Sequence, residues 1–282
     1  MVETQEIYSV LDTDFPDKLV GTYLRSTNAF AELYNKELGR ANSGKLNIFV
    51  SYERDSRRSG LSGGAQGDAI AAKFSGTYEI DNHDKLVLRL NHFLAHEMGH
   101  IWQARLGEDD ARWFAEGEAE ILSLHALHKL GLLTSQDVAA DLTARVPKCL
   151  QFLEKTALVD SHVNGFPQAN YEGGALVLAA AIAAAAADGQ QDDVFALDRE
   201  LKKMDTGQLT TKPMESFLAA LRNLGATESA CQTIKDFVTE RHKDPRKAFI
   251  AMLEATDIAY SMENNEIKIL ASPWDSSRKA AD

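Results

Sequence analysis

The chain has 282 residues, enough for one large domain or two modest lobes sharing a core. With 44% hydrophobic and 26% charged residues it has the composition of an ordinary soluble globular protein, and its formal net charge of -12 argues against nucleic acid or an anionic membrane surface as partner. Cys149 and Cys231 make no disulfide framework and stand in no metal-ligand spacing; pairing and buried free thiols both stay open.

The opening MVETQEIYSV has no basic stretch followed by an apolar core, so the chain as given carries no signal peptide, a pattern shared by the mature form of an exported bacterial protein. The compartment is left open. From Asp17 to Leu38, apolar residues recur at threes and fours and predict a helix that Gly39 stops. Leu46 to Tyr52 reads as a strand, and residues 53–68 as a polar, glycine-rich loop. AIAAKF, GTYEI and KLVLRL, with turn signals at Gly76 and Asn82, read as three short strands, which places a small sheet ahead of the next segment.

That segment, Asn91 to Glu120, carries the chemistry. His96, Glu97 and His100 stand in the order H-E-x-x-H, on apolar spacing (Leu90, Phe93, Leu94, Ile101, Leu106) that predicts a helix with Gly107 as its C-cap. Residues four apart share a helix face, so His96 and His100 can aim two ring nitrogens at one ion, with Glu97 beside them as general base. A catalytic zinc site usually needs a third protein ligand. A second helix, from about Ala111 to Leu130, capped by Asp109 or Asp110 and closed by Gly131, offers Glu116, Glu118 and Glu120. Glu116 is preferred as ligand. Glu120, on the same face, is placed to hydrogen-bond a ligand histidine, and Glu118 points elsewhere. His92 is read as surface or outer-layer, and His125 and His128 as ordinary helix-face residues.

Further on, residues 134–160 read as helical with a break at Pro147, and Ser161 to Asn170 as a loop carrying His162 and leading into Tyr171. The most apolar run, Ala175 to Ala187, is well short of the roughly 20 residues that cross a bilayer and reads as a buried helix ended by Asp188 and Gly189. Amphipathic helices follow, with stops near Gly207, Pro213 and Gly225, then a short strand at Asn265 to Leu270 and a frayed tail, SSRKAAD.

H-E-x-x-H followed by W-x-x-E-G-x-A (Trp113, Glu116, Gly117, Ala119) resembles the zinc site of gluzincin metallopeptidases, in particular the aminopeptidase N-like and glycyl aminopeptidase-like families. YEGGALVL, from Tyr171 to Leu178, looks like their Y-x-x-G-A segment. The matched motifs lie between about residues 90 and 180. The resemblance implies one zinc ion held by His96, His100 and Glu116, with Glu97 as general base. It also implies Tyr171 as donor to the oxyanion and a peptide or protein as substrate. It further implies that an edge strand of the sheet binds substrate by backbone pairing. The nearest match to the families' amine-gripping G-A-M-E-N is Gly64-Ala65-Gln66-Gly67-Asp68, in which the glutamate and asparagine have no counterpart. Gly64, Ala65, Glu118 and His162 are the remaining candidates for substrate contact.

The expected fold is α+β, a thermolysin-like gluzincin catalytic domain with a small mixed sheet followed by a mainly helical lobe. It divides into an N-terminal helix and sheet subdomain (1–88), a zinc-binding helical core (89–187) and a C-terminal helical region (188–282). The expected activity is zinc-dependent peptide hydrolysis, as aminopeptidase or endopeptidase. The alternative is a non-catalytic zinc-binding or scaffold protein on the same fold, and the oligomeric state is open.

Overall fold

The spacing of apolar residues after Asp17 does produce one helix, and the alternation after Leu46 a strand, so local pattern accounts for much of the first third of the chain. A computed structural model of the protein describes residues 2–4, 6–40, 44–56, 60–76, 83–106, 111–185, 193–205 and 212–274. Among these the chain is mixed α/β, with nine helices and two small sheets, which is compatible with the α+β expectation. It divides into two units, residues 1–103 with 122–132, and 104–121 with 133–282. No helix among the described residues is long and apolar enough to cross a membrane.

The first unit holds β1 (Val2–Glu3), β2 (Ile7–Leu11), α1 (Asp17–Leu38), β3 (Leu46–Glu53), β4 (Gly60–Gln66), β5 (Ala69–Ser75) and α2 (His83–Trp102). Its sheet runs β1-β2-β3-β5-β4 and is mixed, because β2, β3 and β5 pair in parallel while β1 and β4 are antiparallel edges. Ile7, Ile48, Val50, Ile70, Ala72 and Phe74 alternate with exposed or half-buried neighbours, so one face is apolar and buried. Phe15 meets both Tyr23 of α1 and Phe74 of β5 edge-to-face, and the Ser9 hydroxyl lies 3.0 Å from the Tyr23 hydroxyl.

Two expectations for this unit are corrected. Residues 60–66 are a strand rather than part of a loop: Gly67, at φ 62, opens a two-residue turn that returns the chain into β5, a geometry that favours glycine. KLVLRL is the start of α2 rather than a strand, because Leu86, Leu90 and Leu94 continue at helical spacing, and the alternation that mimicked a strand leaves Leu88 37% exposed. Of GTYEI, only Gly76 is described, and Asn82 also lies outside the described residues.

Helix α2 ends at Trp102, earlier than the run to Leu106 suggested, and the Gly107, Asp109 and Asp110 caps lie outside the described residues. Helix α3 (Arg112–Lys129) closes as expected at Gly131, where φ is 70 and the N–H donates to the His128 carbonyl.

The second unit adds α4 (Ser135–Leu153), α5 (Gln168–Ala185), α6 (Ala196–Met204), α7 (Pro213–Asn223), α8 (Glu228–Thr239), α9 (Pro245–Ala255) and the hairpin β6 (Tyr260–Glu263) with β7 (Glu266–Ile269). Helix α5 is apolar on every side and buried from Gly173 to Ala184, against α4, α7, α8 and α9. Its end at Asp188 and Gly189, the stop at Gly207 and the SSRKAAD tail lie outside the described residues. Pro147 does not break α4. Its ring is on the exposed face, so the helix loses one hydrogen bond and continues. Pro213 starts a helix rather than stopping one, at a position where its missing N–H has no intrahelical partner to lose. The strand at the C-terminal end has an unforeseen mate: Asn264 and Asn265, at φ 50 and 67, make the turn that brings β6 back onto β7. Cys149 and Cys231 are both buried and free.

Helix α4 begins with a reciprocal capping box, in which Thr134 Oγ1 accepts from the Asp137 N–H at 3.1 Å and Asp137 Oδ2 accepts from the Thr134 N–H at 2.8 Å. The Thr134 hydroxyl, then its N–H, hold the Asp137 carboxyl below the ordinary range. A depressed folded-state pKa stabilises fully above the unfolded value and fades as pH falls through the folded one. Thr134→Ala is therefore expected to cost about 1 kcal/mol at neutral pH, measured by urea unfolding, and less at a pH well below the aspartate reference of about 3.9.

Candidate metal centre

Helix α2 is held in place from both sides within its own unit. The Tyr34 hydroxyl of α1 donates to the Ala95 carbonyl at 3.0 Å, one residue before His96. Farther along, Trp102 Nε1 donates to Asn35 Oδ1 at 3.2 Å and to the Gly39 carbonyl at 3.1 Å. On the sheet side, Gly63 of β4 lets Phe93 approach: a Cβ there would lie 2.8 Å from the Phe93 ring and 2.4 Å from the Ala71 carbonyl oxygen.

On this fixed helix His96 Nε2 and His100 Nε2 stand 3.1 Å apart, with the two rings nearly perpendicular. Two nitrogens on one tetrahedral zinc ion, each at 2.0–2.1 Å, would be about 3.3 Å apart. One atom from each of His96, His100 and Glu116 lies within 4.8 Å of the others. Two imidazoles and a carboxylate suit zinc, and these three residues could hold a metal ion. His96 and Glu97 are each 7% exposed, while His100 and Glu116 are half-buried.

Glu116 owes its position to glycine. Helices α3 and α5 touch backbone to backbone at Gly117 and Gly174. A Cβ on Gly117 would stand 2.3 Å from the Gly174 carbonyl carbon, and one on Gly174 would stand 2.1 Å from the Trp113 carbonyl oxygen. Only residues without a Cβ permit this approach. Glu116 directly precedes one of these glycines, and Tyr171 lies one turn before the other, so the contact that joins the two motifs also sets both side chains in their local frame. Tyr171 is half-buried in the first turn of α5, which begins at Gln168, earlier than the loop expected up to Asn170.

The other acidic residues of α3 separate by helix phase. Glu118 is buried beside Asp198 of α6. Burial above all, then the charge of Asp198, push the Glu118 carboxyl well above its usual range, with Lys202 opposing. Asp198 is itself raised by burial and pulled back by Lys202. Asp198 Oδ1 also accepts from the Ala104 N–H, just beyond the end of α2, and Oδ2 lies 2.8 Å from Lys202 Nζ. Glu118 is thus buried beside another carboxyl rather than presented on the surface.

Glu120 faces another way. Its Oε2 accepts from Arg145 Nη2 of α4 at 2.7 Å. Glu172 is paired with two cations: Lys148 Nζ lies 2.9 Å and Arg145 Nη1 3.9 Å from its carboxylate. Arg145 was missed in the sequence, although it sits on the buried stripe of α4 formed by Val138, Leu142, Val146 and Cys149, where a charge signals a buried partner.

Gly64 is exposed and Ala65 half-buried on the edge strand β4, and His162 and Val163 are exposed on the turn before α5. His125 lies on a buried face of α3, and burial, with Lys129 and His128 nearby, pushes it down to about 3. No protein-family model matches the chain, and no curated protein matches it.

Proposed function

We propose that this protein is a zinc-dependent metallopeptidase with a thermolysin-like gluzincin catalytic domain. The observation that carries the reading is the convergence of His96, His100 and Glu116 ligand atoms within 4.8 Å, on the H-E-x-x-H and W-x-x-E-G-x-A motifs. The mixed sheet with an edge strand before α2, and the helical remainder, agree with that fold. Bound there, a zinc ion supplies Lewis acidity, lowering the pKa of water and polarising a carbonyl.

The chain's residues divide the remaining work. His96, His100 and Glu116 hold the ion. Glu97, beside His96, takes a proton from the attacking water at its carboxylate and returns it to the departing amine as the peptide bond breaks. Tyr171 donates its hydroxyl to the oxygen on which negative charge develops. Tyr171→Phe is expected to lower kcat by roughly 100-fold or more with metal content unchanged, as measured by steady-state kinetics beside metal analysis. Edge strand β4, which carries Gly64 and Ala65, would take an extended peptide by backbone pairing.

The deciding experiment is mass spectrometry of a mixed peptide library incubated with zinc-loaded protein and with the chelator-stripped protein. Loss of single N-terminal residues would identify an aminopeptidase, and internal cuts an endopeptidase. Bound zinc with no metal-dependent cleavage would overturn the enzyme reading in favour of a non-catalytic zinc protein on the same fold.

A further inference from the structure

A buried ionic group of the second unit lies one turn past Glu116. Arg145 is 8% exposed overall, yet it reaches three carboxylates on three helices. Nε donates to Asp141 on its own helix at 2.5 Å, Nη2 to Glu120 of α3 at 2.7 Å, and Nη1 lies 3.9 Å from Glu172 of α5. Lys148 adds a second cation at Glu172. A planar guanidinium presents donors in a fixed fork, so it sets the mutual positions of these carboxylates as well as neutralising them. Glu120 is four residues from Glu116, on the same face of α3, and Glu172 adjoins Tyr171.

We infer that Arg145 is a positioning residue of the metal centre: acting through Glu120, it holds the α3 face that carries Glu116, and through Glu172 it ties that face to the turn carrying Tyr171. This rests on the metal reading above. Two effects of removing Arg145 have opposite signs. Loss of a positive charge, by Coulomb attraction alone, would tighten binding of a dication. Loss of positioning would weaken it; removing a direct partner of a metal ligand commonly costs roughly 10- to 100-fold, and Arg145, whose contacts are to Glu120, Glu172 and Asp141, lies farther out, so a smaller loss is expected. Positioning is expected to win, because Glu120 is buried and, once freed, must find a new partner or take up a proton, while Glu172 keeps only Lys148.

The test is metal affinity by chelator competition with Zn2+, together with the Co2+ absorption spectrum, for the wild type, Arg145→Gln, Arg145→Lys, Glu120→Gln and the Arg145→Gln/Glu120→Gln double variant. Arg145→Gln and Glu120→Gln are each expected to bind zinc several-fold, up to roughly 10-fold, more weakly with an altered cobalt spectrum. The double variant should lose little more than the worse single one, because the two residues act through one contact. Arg145→Lys keeps the charge but not the fork, and should fall between the wild type and Arg145→Gln.

Equal or tighter zinc binding by Arg145→Gln, or losses that multiply in the double variant, would overturn the inference. If circular dichroism shows Arg145→Gln unfolded, Arg145→Lys decides, and wild-type affinity in that variant overturns it. Failure of the wild-type protein itself to take up zinc or cobalt would overturn the metal reading, and this inference with it, whereas uptake by the wild type with unaffected variants overturns this inference alone.

Discussion

Glu97→Gln is expected to keep its zinc and lose turnover by roughly 10²- to 10⁴-fold, the range a positioned general base supplies. Gln has nearly the same shape and still packs at a site 7% exposed, but its amide cannot take a proton from water. Metal content should hold because Glu97 lies outside the converging group of His96, His100 and Glu116. Metal analysis beside steady-state kinetics checks both halves. Turnover within a few-fold of the wild type would remove Glu97 from the mechanism, and loss of zinc would make it a ligand instead. The contrast with Glu116→Ala sharpens this, since that variant should lose metal first and activity as a consequence.

Gly174→Ala is expected to lower stability by about 3 kcal/mol or more, and Tm by on the order of 10 °C. The added methyl would sit 2.1 Å from the Trp113 carbonyl oxygen and 2.9 Å from Gly117 Cα, backbone atoms that cannot rotate away, so α3 and α5 must part. Gly117→Ala meets the same wall from the other side, 2.3 Å from the Gly174 carbonyl carbon. The parting moves Glu116 relative to Tyr171, and a misplacement of about 1 Å can cost roughly 100-fold in rate. Calorimetry with kinetics under folded conditions reads the two consequences separately. Gly64→Ala is the thermal control, since a Cβ there meets nothing within 4 Å. If Gly174→Ala melts like the control, the helix contact is not what holds this region.

Several features were legible because their causes are local. The 3.6-residue period puts His96 and His100 on one face whatever surrounds them, and the same period sets Glu118 apart from Glu116 and Glu120. Gly39 and Gly131 end helices because the backbone there has φ of 77 and 70. The errors came where two patterns overlapped. KLVLRL alternates and also repeats at fours, and only the continuation through Leu94 separates strand from helix. The glycine-rich stretch before Gly67 lacks the β-branched residues that usually mark a strand, yet it pairs along β5, because backbone hydrogen bonds and a tight turn need no such side chains.

The sequence by itself determined the side chains on offer at each helix face: two histidines and a glutamate on α2, a row of glutamates on α3, a tyrosine and paired glycines on α5. Which of these meet was decided by tertiary structure. His96, His100 and Glu116 could hold a metal ion, Glu118 is buried with Asp198, and Glu120 and Glu172 share Arg145. Those assignments depend on how far helices distant in sequence approach one another and on their register. Both are set by close packing at points such as Gly117 against Gly174, and no local periodicity encodes them.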